Sequence, residues 1–420
     1  MSIASQITRL QDAKVALKVA IESKGVAVPA EATLDDYASL VDDIEQGDVP
    51  SIPEKDVNFY DYDGTVVASY TADEFLELTS MPTNPTHSGL TSQGWNWTLA
   101  DAQEYVHKYG MLDVGQMYIT SDGKTKIYIT LIAGRTTPQL AICPNGSVAI
   151  DWGDGSPEDV ITGSSTTTRV FTSHSYATHG DYVIEIEPLD DATIGFYGYD
   201  TGPLETFQYT NCIKHIRLGR NVVLGKNSFA QASDLRTITM PGYITSLGES
   251  VCNKCVSLRA LIIPINTATL GKTAFFQCYD LEIISLPLLL NSIGIQCMNT
   301  TSLRRSIIPP GITNIPEAML FMNVKMLCVV MPDSITSIDK AAFPYCYTIK
   351  DIYCYAENPP SLGQSSFDST PTDSTIYVPA ASVDAYKQAS GWSGVAGRIK
   401  PIIKDFTLDA SKLDSGYKLK

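Results

Sequence analysis

Few residues in this chain have the type and spacing to do chemistry. Cys252 and Cys255 form a CxxC, the arrangement that holds zinc or exchanges thiol for disulfide. No second CxxC stands at ligand spacing, which leaves half a zinc site. Asp151 and Asp154 flank Trp152-Gly153, either as a calcium pair or, as the turn sequence favours, as Asx groups bonding their own backbone. The five histidines, His87, His107, His174, His179 and His215, fall in no HExxH, and no GxSxG or P-loop accompanies them. No Ser, His and Asp set stands out. The expectation is a non-enzymatic protein with no catalytic residue, metal or cofactor. Trp95 and Trp97, beside Gly94, are either a sugar-stacking platform or the core of a compact unit. Tyr279, Tyr345, Tyr347, Tyr353 and Tyr355 are recognition candidates, because tyrosine is favoured at interfaces, or else they pack between turns.

The elements that must carry these residues are dominated by a repeat. Leu235-x-x-Ile238-x-Met240-Pro241 recurs at Leu258 to Pro264 and Leu281 to Pro287, and more loosely at Leu303 to Pro309 and Met326 to Pro332. Half-copies open the series at Ile213, Ile216 and Leu218 and close it at Ile349 and Ile352. The prolines at 241, 264, 287, 309 and 332 step by 23, 23, 22 and 23 residues. One such unit cannot bury its apolar face alone, so the period predicts a solenoid. Columns six and three residues before each leading position hold Phe229, Cys252, Phe275, Cys297, Leu320 and Phe343, then Ala232, Cys255, Cys278, Thr300, Asn323 and Cys346. Most of the nine cysteines therefore read as inward, apolar filler.

Composition bounds the rest. The 420 residues allow several domains, and no apolar run is long enough to span a membrane. The opening residues lack the apolar core of a signal peptide, and the first cysteine, Cys143, comes too late for a lipobox. Export by another route, or departure inside a larger particle, is expected. Residues 1–204 hold 10 basic and 30 acidic side chains, a balance of −20, whereas 205–360 hold 13 and 10, or +3. An acidic front half argues against nucleic acid as a partner.

Residues 1–50 read as a helical hairpin or coiled coil. Ile3, Ile7, Leu10, Lys14, Leu17 and Ile21 make an a/d seam, and Thr33 caps a second helix bearing Leu34, Tyr37, Val41 and Ile44. A small Trp-rich α+β unit is expected over 56–111. Strands at Met117–Ile119, Lys126–Ile129, Val148–Ile150, Val170–Thr172 and Tyr182–Ile184 predict a β-sandwich over 112–204. A solenoid over 205–360, a cap over 361–403 and a polar tail over 404–420 complete a multidomain, mainly β chain.

Three resemblances attach to these patterns. The stretch Val148-Ala149-Ile150-Asp151-Trp152-Gly153-Asp154-Gly155, with His174-Ser175-Tyr176 and Gly180-Asp181-Tyr182, resembles a PKD-type immunoglobulin-like domain. Ile244-Thr245-Ser246-Leu247-Gly248, Leu270 to Cys278, Ile293-Gly294 and Ile335 to Cys346 resemble BspA-like leucine-rich repeats, and 356–402 resembles the C-terminal end of that family. Ser306 and Pro316 depart from its pattern and predict irregularity over 295–325. The module order resembles tail, fibre or receptor-binding proteins of phages that infect gut bacteria. The resemblance implies a virion protein, joined to other virion proteins and oligomerised through residues 1–50, with a trimer as one closed form. Its middle domains would be spacers, and its solenoid would meet a bacterial receptor, protein or glycan. A bacterial cell-surface adhesin and a carbohydrate-binding accessory module are the alternatives.

Overall fold

The computed structural model describes residues 54–198 and 210–403. The helical segment expected over 1–50 and the tail over 404–420 lie outside the described residues.

The first sheet comprises β1 (Val57–Tyr60), β2 (Val66–Tyr70), β3 (Leu90–Trp95) and β4 (Leu112–Thr120), in the order β2-β1-β4-β3. Two helices cover it. Helix α1 (Ala72–Leu76) starts at a capping box made by Thr71 and Glu74. Helix α2 (Leu99–Tyr109) is capped by Thr98 and stopped by Gly110 at φ 81°. Phe59, Phe75, Trp95, Trp97, Tyr105 and Val114 form the core between sheet and helices. Strand β4 includes Met117–Ile119, which therefore belong here and not to the sandwich. The antiparallel pairing of β3 with β4 holds them there, Thr91 opposite Ile119 and Ser92 opposite Tyr118.

The second sheet contains β5 (Thr125–Leu131), β6 (Gln139–Asp151), β7 (Asp159–Ser164), β8 (Val170–Ser173), β9 (Gly180–Pro188), β10 (Thr193–Phe196), β11 (Ile213–Arg217) and β12 (Val222–Leu224). Its main path runs β12-β10-β6-β9-β5-β11 and passes on to Thr237–Thr239, the first full repeat strand. Strand β5 alternates buried Ile127, Ile129 and Leu131 with outward Lys126, Tyr128 and Thr130, the period-2 pattern of a one-sided sheet. Trp152 is buried, stacks on His174 at 5.1 Å and donates its indole N–H to Asp159.

In the solenoid, strands at 237–239, 260–262, 283–285, 305–307, 328–331, 351–354, 375–378 and 399–401 line one side, and two-residue strands beginning at Ser246 line another. The remaining side is a turn that takes the left-handed region twice per repeat at non-glycine residues. The pairs are Asn227/Gln231, Ser250/Lys254, Thr273/Gln277, Gln296/Thr300, Ala318/Met322, Ala341/Tyr345 and Ser365/Ser369. The cost of this region for an L residue is offset, because the turned amides donate to the next repeat: Gln231 to Asn253, Lys254 to Phe276, Gln277 to Asn299 and Met322 to Pro344. The shortened step falls at 296–318, inside the stretch expected to be irregular, where Ser306 Oγ is buried without a partner.

Gly248, Gly271 and Gly294 stack where neighbouring repeats approach closely; a Cβ at any of them would come within 2.4 Å of the preceding repeat's backbone. One core runs from Ile127 through every repeat to Ile399. The second sheet is thus fused to the solenoid and caps its first turn. Tyr386, on α3 (Val383–Gln388), and Trp392, just beyond it, close the other end. The architecture is mainly β, a leucine-rich-repeat-like solenoid with an annexed sheet. The middle modules are not spacers, because the first sheet also packs on the solenoid.

Candidate interaction surfaces

The strand face of a solenoid is the extended surface such arrays offer for binding. Here much of it is covered by residues 54–120, and the proline column explains how. In a parallel ladder each carbonyl accepts from the amide one residue beyond its partner on the next strand. Met331 O follows this rule and accepts from Tyr355 N at 3.0 Å. Where the repeat carries proline at that position, the amide is missing and the carbonyl is left open. Such openings occur down the column, and four of them are Leu218 O facing Pro241, Ile263 O facing Pro287, Leu286 O facing Pro309 and Ile308 O facing Pro332.

The N-terminal unit fills all four. Thr120 N donates to Leu218 O at 3.3 Å. Asn96 Nδ2 donates to Ile263 O at 2.9 Å, Trp97 Nε1 to Leu286 O at 2.9 Å and Tyr105 Oη to Ile308 O at 2.8 Å. Gly115 gives β4 the clearance to lie on the ladder, since a Cβ there would stand 2.4 Å from Ile262. The buried Arg305 guanidinium bonds Asp113 and the Lys55 and Asp56 carbonyls. Burial pushes the Asp113 carboxyl above its usual range despite Arg305 and Asn58. Lys108 and Tyr109 both reach Asp333 at 2.6 Å.

This geometry corrects the reading of Trp95 and Trp97 as a sugar platform. Trp97 is 3% exposed and Trp95, bonded to Pro82 O, is 6% exposed. Trp95 serves the core of its own unit, and Trp97 serves both that core and the docking contact. Tyr353 and Tyr355 lie half-buried beside the docked unit, Tyr353 stacked on Tyr377 at 4.8 Å and Tyr355 bonded to Tyr109 O.

The other three tyrosines are exposed, and comparing repeats shows why they matter. Four residues before the leading position, the first three repeats carry Gln231, Lys254 and Gln277, whereas the last two carry Met322 and Tyr345. One residue after it, the order is Arg236, Arg259, Glu282, Arg304, Leu327 and Lys350. Two before it stand Val324 and Tyr347, with Val256 and Tyr279 in earlier repeats. Met322, Val324, Leu327, Tyr345 and Tyr347 are all exposed, Tyr347 to 55%. Tyr345 lies 5.2 Å from the Phe321 ring and 6.0 Å from that of Tyr347. Two of these columns thus turn apolar, at Met322, Tyr345 and Leu327, and with Val324 and Tyr347 they gather exposed apolar side chains over two adjoining repeats, as interaction sites do. Only its tyrosines were singled out in the sequence; the same columns also point to Met322 and Leu327.

The cysteines do more than fill space. Cys255, Cys278 and Cys346 donate S–H to Phe229 O, Cys252 O and Leu320 O of the preceding repeats at 3.1 to 3.2 Å. Asn323, in the same column, donates to Met298 O instead. Burial holds these thiols protonated, pushing Cys346 up to about 12, which suits a donor and not a metal ligand or nucleophile. Asp151 and Asp154 accept from Gly153 N and Ser156 N, and Asp154 pairs with His174 at 2.7 Å, which lowers its carboxyl to about 2. Among the described residues no group of His, Cys, Asp and Glu is placed to hold a metal, and no helix is long and apolar enough to cross a membrane.

Residues 203–327 and 317–390 match the family model described as BspA type leucine rich repeat region, in six copies. The C-terminal half contains a BspA-type leucine-rich repeat region. Among solved structures, the chain is similar to a leucine-rich repeat protein from Bacteroides ovatus (16% identity, 44% of this chain and 47% of that one, TM-score 0.33). It is also similar to the T. pallidum leucine-rich repeat protein (19%, 40% and 83%, 0.34). A third is a leucine rich cell surface protein from Faecalibacterium prausnitzii (13%, 50% and 84%, 0.26). The chain thus spans less than half of the Bacteroides protein it matches. The comparison with curated proteins gives no match.

Proposed function

We propose that this is a non-enzymatic adhesion protein that binds a macromolecular partner on a bacterial surface through the apolar patch of its last two full repeats. The observation that carries the reading is the joint exposure of Met322, Val324, Leu327, Tyr345 and Tyr347 on two adjoining repeats, with Met322, Tyr345 and Leu327 standing where other repeats carry polar or charged residues. An exposed patch of this kind raises the risk of aggregation and persists where a partner covers it. Tyrosine and methionine are enriched at such contacts. The finer reading is a phage tail, fibre or receptor-binding protein with a PKD-type second sheet. Residues 1–50 would join it to other virion proteins as a homo-oligomer, a trimer for instance, whose multiple copies turn weak contacts into avidity. A bacterial cell-surface adhesin would use the same patch.

The test is binding of the full-length, fluorescently labelled protein to a panel of gut bacterial strains. Leu327→Ser with Tyr347→Ser should abolish binding to any strain the unaltered protein decorates. Undiminished binding by that variant would refute the patch. Loss of oligomers in light scattering on deleting 1–50 would support the virion form, and a monomer both with and without them would count against it.

A further inference from the structure

The second sheet presents an outward face to the side of the docked unit, and that face is grooved where the sheet joins the solenoid. A cavity of about 480 Å³ is lined there by Tyr128, Thr130, Asp181, Tyr182, Lys214 and His215. It adjoins a smaller one of about 240 Å³ that shares Thr130 and Lys214 and adds Arg135, Asn211 and Asp234. Gly153 also lines the larger cavity and sits so close to β9 that a Cβ would meet Val183 O at 2.3 Å.

We propose that this double groove is a saccharide-binding site for an uncharged or weakly charged oligosaccharide. Three properties of the floor argue for that ligand class. First, every strand beneath it is paired on both sides, in the order β9-β5-β11 and on to Thr237–Thr239. No free backbone edge remains for an added peptide strand, so recognition rests on side chains. Second, those side chains offer polar atoms to which sugar hydroxyls can bond. Asp181 accepts from the Thr130 hydroxyl at 2.7 Å and keeps a second oxygen. His215 engages Thr237 through Nδ1 at 2.8 Å, which leaves Nε2 as its other hydrogen-bonding atom. Lys214 pairs with Asp234 at 2.5 Å. The charges balance, Lys214 and Arg135 against Asp181 and Asp234, a poor match for a phosphate polymer and a good one for a polyol. Third, Tyr128 and Tyr182 bring aromatic rings to the same floor, and ring faces pack on the apolar faces of sugars.

The site is independent of the apolar patch, and its test separates the two. The full-length protein is applied to a printed array of neutral and acidic oligosaccharides, with thermal melting to show that each variant folds. The unaltered protein should retain a defined set of glycans. Asp181→Asn and Tyr128→Ala should each weaken retention roughly ten-fold or more, the loss of one or two good hydrogen bonds or a ring contact. The patch variant Tyr347→Ser should retain the same set unchanged. No retained glycan, or retention that survives both groove substitutions, overturns the proposal. Retention lost in Tyr347→Ser alone would move sugar recognition to the patch and likewise overturn it.

Discussion

Removing one hydroxyl tests whether prolines open the docking sockets. Tyr105 is buried, and its hydroxyl donates to Ile308 O at 2.8 Å. Tyr105→Phe removes that oxygen alone and leaves the Ile308 carbonyl buried without a donor. An orphaned buried carbonyl costs about 1–3 kcal/mol. The missing ladder donor is the amide of residue 332, which proline lacks. Pro332→Ala supplies it. In the unaltered protein that substitution should cost about 0.4–1 kcal/mol, because alanine frees the unfolded chain. In the Tyr105→Phe background the new N–H reaches an empty acceptor, and a net hydrogen bond contributes about 0.5–1.5 kcal/mol. The double variant should therefore be more stable than the sum of the single effects by about 1 kcal/mol. Equilibrium urea unfolding of the four proteins measures this coupling. Additivity within about 0.5 kcal/mol, the usual result for independent sites, would refute the reasoning.

Three further outcomes follow from the same structure. Gly115→Val places methyls where Ile262 already sits, at 2.4 Å from a Cβ, and should expose the first sheet to limited proteolysis between 54 and 120 while the repeats stay protected. Cys278→Ala removes both sulfur volume and the donor to Cys252 O, and should lower stability by about 1–3 kcal/mol. Cys278→Ser, which keeps a donor, should lose less in the same melt. His215 has its pKa lowered from 6.5 by burial, then by Arg236, Arg217 and Lys214, so the fold favours the neutral ring. Its contribution is whole above the unfolded value near 6.5 and is lost as pH falls through the lower folded value, so His215→Asn should flatten the acid limb of a stability profile.

The sequence made the array legible because its signal is periodic: leading aliphatics, stacked glycines and inward cysteines recur in phase. What it concealed lies between segments far apart. Proline at 287, 309 and 332 reads in sequence as punctuation. Its structural effect is an absent amide, and the compensating donors Asn96, Trp97 and Tyr105 stand up to 203 residues away. No local pattern joins the two. The left-handed turn residues were hidden for a related reason: Lys254, Gln277 and Met322 are not glycines, and only the hydrogen bonds to the next repeat hold them there. Trp95 and Trp97 suggested a surface platform because glycine precedes them. Met322 and Leu327 escaped notice because they look like ordinary core residues until each is set against Gln277 and Glu282 in the same columns.

The central claim is that the solenoid's strand face is already occupied by the protein's own N-terminal unit, which leaves recognition to the patch and the groove. The indole N–H of Trp97 reports on it directly, since that proton lies on Leu286 O at 2.9 Å within the docking contact. Hydrogen exchange followed by NMR on the labelled full-length protein should show it protected on the timescale of global unfolding. Exchange at the rate of a solvent-exposed indole would mean the face is open, and would contradict the account.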